Sequence, residues 1–180
     1  MNAANDYFSQ LYKTNITSLY RFGKGMGLSH DACLDIIHDI FCRLIEKNRV
    51  FETISVKQFL FRSFINRHID IQKSRKKMIN GEDINHLPFV IEVSLEDTAI
   101  EQEEKEILKQ KVDYLLDILT PRQRKAVYLR FMEEMEYEDI AIIMDMSSES
   151  VRKLVFRGFE KIRNHAGNIP VFYLLSVLFR

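Results

Sequence analysis

Residues Leu119 to Arg163 read LTPRQRKAVYLRFMEEMEYEDIAIIMDMSSESVRKLVFRGFEKIR, and this stretch decides the fold. Thr120 followed by Pro121 marks a helix start, because a threonine hydroxyl accepts from an early amide and proline at the first helical position forfeits no hydrogen bond. Ala126, Val127, Leu129 and Phe131 continue to Glu133 and Glu134, where the apolar pattern breaks. Tyr137, Ile140, Ala141, Ile143 and Met144 resume it at helical spacing. Asp145 and Met146 then form a tight turn without glycine, so one of the two must accept an uncommon φ. Ser147 caps a last helix in which Val151, Leu154, Val155, Phe159 and Ile162 recur at three- and four-residue steps, the pattern of a buried stripe. Its opposite face presents Ser148, Glu149, Arg152, Lys153, Phe156 and Arg157, where a recognition helix meets base edges and phosphates. The small Ala141 lets the two helices approach closely. The pattern is that of a helix-turn-helix, although two packed helices with a solvated basic face would also produce it.

Composition agrees with helices throughout. The chain has 180 residues, 46% hydrophobic and 29% charged, with only 6 glycines and 3 prolines, so a nearly all-α globular protein is expected rather than a turn-rich sheet or a disordered chain. The opening MNAANDYFSQ lacks a charged region followed by an apolar run, which predicts no secretion signal and a cytoplasmic protein. Cys33 and Cys42 lie within one predicted helix, nine residues apart, and cannot bridge without breaking it.

A formal charge of zero hides a strong asymmetry. Residues 57–77 hold seven Lys or Arg against Asp70 alone, and residues 82–106 hold nine Asp or Glu against Lys105. Arg152, Lys153, Arg157, Lys161 and Arg163 make the end positive again. Two basic blocks around an acidic one suggest two nucleic-acid contacts, since clustered cations gain affinity by releasing counterions from phosphates. Each block taken alone is also what a solvated helix face looks like.

In the N-terminal half, Asp6 to Met26 carries Tyr7, Phe8, Leu11, Tyr12, Ile16, Leu19, Tyr20 and Phe22 at helical steps, ending at Gly23 and Gly25. Ser29 caps a second predicted helix, Asp31 to Lys47, with Cys33, Ile36, Ile37, Ile40, Phe41 and Leu44 on one side. Asp35, His38, Asp39, Cys42 and Glu46 form an acidic ridge on the other. A zinc site from His30, Cys33, His38 and Cys42 is disfavoured, because helical projection puts Cys33 opposite His38 and Cys42. A third helix, Lys57 to Lys77, turns Leu60, Phe61, Phe64, Ile65, His68 and Ile71 inward. Its outer side mixes Phe59, Arg62, Ser63, Asn66, Asp70 and Lys73, a face suited to single-stranded DNA: bases stack on aromatics, amides bond base edges and cations track the backbone.

In this order the segments resemble the extracytoplasmic-function group of the sigma-70 family, the promoter-recognition subunits of bacterial RNA polymerase, over residues from about 6 to 165. Asp35-Ile36-Ile37-His38-Asp39-Ile40-Phe41 is similar to the family's D-x-x-Q-D-x-F motif, with His38 in place of the usual glutamine. The resemblance implies that Asp35, His38, Asp39 and Phe41 bind the clamp helices of the polymerase's largest subunit. Phe59-Leu60-Phe61-Arg62-Ser63, followed by Asn66, Asp70 and Lys73, looks like the segment that captures and opens the minus-ten element. There the family often has tryptophan at the position of Phe59 and arginine at that of Lys73. Leu119-Thr120-Pro121-Arg122-Gln123-Arg124 matches the usual opening of the unit that reads the minus-thirty-five element, placing Ser148, Glu149, Arg152, Lys153, Phe156 and Arg157 on DNA.

The implied organisation is an all-α chain of two small helical domains: 1–77 for polymerase binding and minus-ten recognition and melting, and 101–165 for the helix-turn-helix. A flexible acidic linker, 78–100, joins them. About 20 extended residues at ~3.3–3.6 Å each reach ~70 Å, near two turns of duplex. The apolar tail, 166–180, is too short to span a bilayer and reads as completing the second core, holding the factor compact or binding an inhibitory partner. The partners implied are core polymerase, promoter DNA and an anti-sigma factor, which the resemblance allows to be membrane-bound. Without a nucleophile–base pair, phosphate loop or metal cluster in the sequence, no enzyme, metal, cofactor or small-molecule substrate is expected. The rival reading is an autonomous helix-turn-helix regulator with a helical sensing or dimerisation domain; a helical mimic that binds only partners is the third.

Overall fold

The computed structural model describes residues 3–47, 56–75, 88–91 and 102–166, and all its regular elements there are helical. Helices α1 (Ala3–Gly25), α2 (His30–Glu46) and α3 (Val56–Arg75) form the first unit. The Ser29 hydroxyl accepts from the Ala32 amide and so caps α2, as the serine before the periodic run predicts. Phe22, Cys33, Ile36, Ile37, Leu60, Phe61, Phe64 and Ile65 meet between the three helices, essentially without solvent exposure. Close approach is required at Gly23: a Cβ there would lie 2.7 Å from both Cys33 Sγ and Phe64 Cζ.

The second unit comprises α4 (Gln102–Asp117), α5 (Pro121–Val127), a π turn (Tyr128–Met132), α6 (Tyr137–Met144) and α7 (Ser148–His165). Thr120 and Gln123 close a full capping box with Pro121 in the first turn. Ser147 caps α7 through the Ser150 amide. Of the two residues at the glycine-free turn, Asp145 takes the left-handed conformation (φ 56°, ψ 52°). Glu134 does the same (φ 54°), which the sequence does not signal. Between them, Ala141 and Val151 are buried at the α6–α7 crossing as expected.

The two units share a core. Phe89, from the segment predicted as a flexible linker, is buried with its ring 5.3 Å from Phe22 of α1 and 5.2 Å from Tyr128 of the second unit. The Val90 amide donates to the Gly25 carbonyl at 2.7 Å, and the Arg124 guanidinium donates to the Phe89 carbonyl at 2.9 Å. Residues 88–91 are therefore structural, a correction to reading all of 78–100 as a connector. Phe89 and Ile91 are buried there on either side of the exposed Val90. Residues 78–87, 92–100 and the tail 167–180 lie outside the described residues.

Packing of α3 against α6 extends the interface. Lys57 Nζ lies 2.8 Å from the buried Glu133 carboxylate and donates to the Glu133 carbonyl, while the Tyr128 hydroxyl donates to Glu133 Oε1 at 3.0 Å. Arg62 Nη1 donates to the Ile143 carbonyl at 2.9 Å, near the end of α6. Burial and the adjacent Glu133 charge hold the Tyr128 hydroxyl protonated far above the ordinary tyrosine range.

His68 of α3 is also buried, and desolvation, then the cation of Lys125, holds its pKa below the ordinary 6.5. As pH falls, the unfolded chain takes this proton first. The stabilisation is thus complete above about pH 6.5 and declines below it until the folded pKa is reached. Urea unfolding should show lower stability at about pH 5.5 than at about 7.5, with a smaller difference in His68→Gln; equal differences would place the histidine outside the coupled interface. Phe89→Ala should cost about 3–5 kcal/mol of unfolding free energy, the range for a buried phenylalanine. A loss below about 1 kcal/mol would contradict its wedge role.

Candidate nucleic-acid interface

Helix α7 separates its faces as the periodicity predicts. Val151, Val155, Gly158 and Ile162 are buried, while Glu149, Arg152, Lys153, Phe156 and Arg157 are exposed and Ser148 is half-buried. The cations are held, but lightly. Arg152 reaches Glu138 at 3.2 Å and lies over the Tyr137 ring at 5.0 Å, and Lys153 pairs with Glu149 at 2.6 Å one turn back. Solvent-exposed pairs of this kind contribute little and are readily exchanged for phosphate. Phe156 is 64% exposed, a large apolar cost for a surface with no partner.

The second surface lies between α2 and α3. A cavity of ≈ 290 Å³ opens there, lined by Asp39, Arg43 and Lys47 from α2 and by Phe59, Ser63, Asn66, Arg67 and Asp70 from α3. Its size is at the small end for ligand sites. An aromatic, an amide and three cations around a space of that size fit one unpaired nucleotide better than a duplex.

The structure sorts the residues expected from sequence. Phe59, Asn66 and Asp70 share the cavity. Lys73 is exposed further along α3, whereas Arg62 is turned away onto α6. On α2, Asp35 and His38 are exposed and Asp39 is half-buried. His38 lies 3.5 Å from Cys42 Sγ. Phe41 is 5% exposed and packs edge-on against Tyr12, so in this conformation it supports the ridge from within and offers no contact surface of its own. Phe41 follows the apolar stripe of Ile36, Ile37, Ile40 and Leu44 into the core, the side on which the helical projection put it.

Arg43, Lys47 and Arg67 were missed as site residues. The signal was present in the spacing: Asp39, Arg43 and Lys47 recur every four residues, as do Phe59, Ser63 and Arg67. Which of the two polar faces meets the other required the crossing of α2 over α3.

Residues 109–162, spanning most of α4 through the recognition helix, match the family model for sigma-70, region 4. Across 155 residues the chain is 23% identical to the ECF RNA polymerase sigma factor SigM of Bacillus subtilis (strain 168), covering 86% of this chain and 91% of that protein. The chain thus carries a sigma-70 region 4 at residues 109–162 and is similar to an ECF sigma factor over most of its length. Its fold is also that of solved proteins. The sigma factor RpoE from Bartonella quintana, in complex with the anti-sigma factor NepR, superposes with a TM-score of 0.59 at 20% identity, covering 91% of this chain and 98% of that chain. CnrH in complex with the cytosolic domain of CnrY gives 0.55 at 16% identity, covering 89% and 87%. Among the described residues, no helix is long and apolar enough to cross a membrane.

Arg157→Ala should weaken binding to random-sequence duplex DNA and lower the slope of log K against log salt by about 1, with thermal stability unchanged. Anisotropy titrations over a salt series measure this; an unaltered slope would remove Arg157 from the phosphate contacts.

Proposed function

We propose that this sigma factor directs core RNA polymerase to promoters through three surfaces divided between its two units. The α2 ridge, with Asp35, His38 and Asp39 outward and Phe41 beneath, docks on the polymerase. The α2–α3 cavity and the exposed end of α3 receive the opened minus-ten strand: Phe59 stacks a base, Asn66 reads its edge, and Lys73 tracks the backbone beyond Asp70. Helix α7 grips duplex DNA at the minus-thirty-five element through Arg152, Lys153 and Arg157, with Ser148, Glu149 and Phe156 beside the bases. In these terms residues 1–77 and 101–165 are the functional units, and 78–100 is the connection whose residues 88–91 join them. The chain makes and breaks no bond itself, and it works in the cytoplasm, where its polymerase is.

One observation carries this reading: a basic recognition helix within the matched region 4 occurs in the same chain as an acidic docking ridge backed by a nucleotide-sized polar cavity. An autonomous regulator has no use for the second pair of features. In the free chain Arg62 is bonded to α6, so its contact with the melted strand requires α6 to move away. Both solved relatives are bound to another protein, one of them named as an anti-sigma factor, and that likeness supports an anti-sigma factor as a partner of this chain.

Transcription reconstituted with purified core polymerase and genomic fragments tests the function, and absence of any factor-dependent start site would overturn it. Asp35→Ala, an exposed change remote from the cavity, should weaken core binding about 10-fold or more, the loss expected for one charge-assisted contact, while thermal stability stays constant.

A further inference from the structure

Asp39 belongs at once to the ridge assigned to polymerase and to the wall of the strand cavity. Inside the cavity its Oδ2 accepts from two nitrogens of one guanidinium, Arg67 Nε at 2.7 Å and Arg67 Nη2. Both side chains are about a third exposed or more, so the pair contributes little to stability. The helices it spans are already held by Ile36, Ile40, Leu60 and Phe64. What the pair does fix is direction. A guanidinium held through two of its nitrogens has its plane and its remaining donors set, which a flexible ammonium would not. Those donors lie in the cavity that also contains Phe59 and Asn66.

We propose that Arg67 is a strand-contacting residue of the α2–α3 cavity and that Asp39 is its positioning residue, so that one carboxylate links polymerase docking to capture of the unpaired strand. The ligand is a single unstacked base with its adjoining phosphate: the base lies against Phe59 and the phosphate meets Arg67. A carboxylate offers about four acceptor sites, so Asp39 keeps Arg67 while accepting a donor from the polymerase. Docking then immobilises Asp39, and through it the cation that holds the strand. This inference rests on the assignment of the ridge and cavity above.

The test uses holoenzyme reconstituted with core polymerase and a promoter fragment recovered with the wild-type factor. Core affinity is measured with labelled factor, and melting by permanganate oxidation of unpaired thymines in polymerase-bound complexes. Arg67→Ala should leave core affinity within about 2-fold and thermal stability unchanged, yet reduce melting about 10-fold, as expected for loss of one charge-assisted contact. Arg67→Lys should recover only part of this, because charge without the fork is not aimed. Asp39→Asn should weaken both core binding and melting, but add no further melting defect to Arg67→Ala. Normal melting in Arg67→Ala, full rescue by lysine, or additive melting losses would each overturn the proposal. Unchanged core affinity in both Asp35→Ala and Asp39→Asn would remove the ridge assignment and with it the link to docking. Factor-dependent transcription by the wild type in the same assay separates that result from failure of the sigma-factor reading.

Discussion

The ring of Phe89 stands between Phe22 and Tyr128, and the joining of the two halves depends on that contact. Each half is a small helical unit, and units of that size bury too little apolar surface to be comfortably stable alone. Inserting an aromatic from the connecting segment lets both use one interior. The space is made by Gly25, where a Cβ would lie 2.7 Å from the Val90 carbonyl and 3.1 Å from the Phe89 ring. A glycine at the end of α1 therefore decides whether the connector can dock.

Around that apolar wedge the interface is built from charge. Lys125 is 1% exposed and its ammonium lies 5.8 Å from the Phe89 ring, close enough to His68 to depress its pKa. Glu133 is buried and takes Lys57 from the other unit as its cation. Ions in such positions cost desolvation that their pairing only offsets, unlike a purely apolar seam, which gains with every ångström buried. The junction is thus specific in register without being strongly adhesive. Both surfaces proposed to hold DNA lie outside it except at Arg62, so α7 and the α2–α3 cavity remain accessible while the halves are joined.

Much of the site was readable along the chain because it obeys local periodicity. Asp35, His38 and Asp39 share a face of α2 for the same reason that Ile36, Ile37 and Ile40 share the other, and the outward residues of α7 follow from its buried stripe. Phe41 stands in the docking motif, yet the apolar period turns it inward, because a motif names positions without saying which way each points. Arg67 was overlooked since its meaning comes from Asp39, 28 residues away on another helix. Periodicity within one helix carries no information about the crossing of two.

By itself, then, the sequence determined the helices, the caps at Ser29, Thr120 and Ser147, the helix-turn-helix with an uncommon φ at Asp145 or Met146, and an order of motifs that resembles that of sigma factors. These depend on interactions spanning a few residues, which spacing and residue type specify directly. Only the tertiary structure decided that Phe89 is core and not linker, that Arg62 is bound to α6, and that Asp39 and Arg67 meet in one cavity. Each of those depends on how helices far apart in the chain cross, and that geometry is set by the packing of the whole interior.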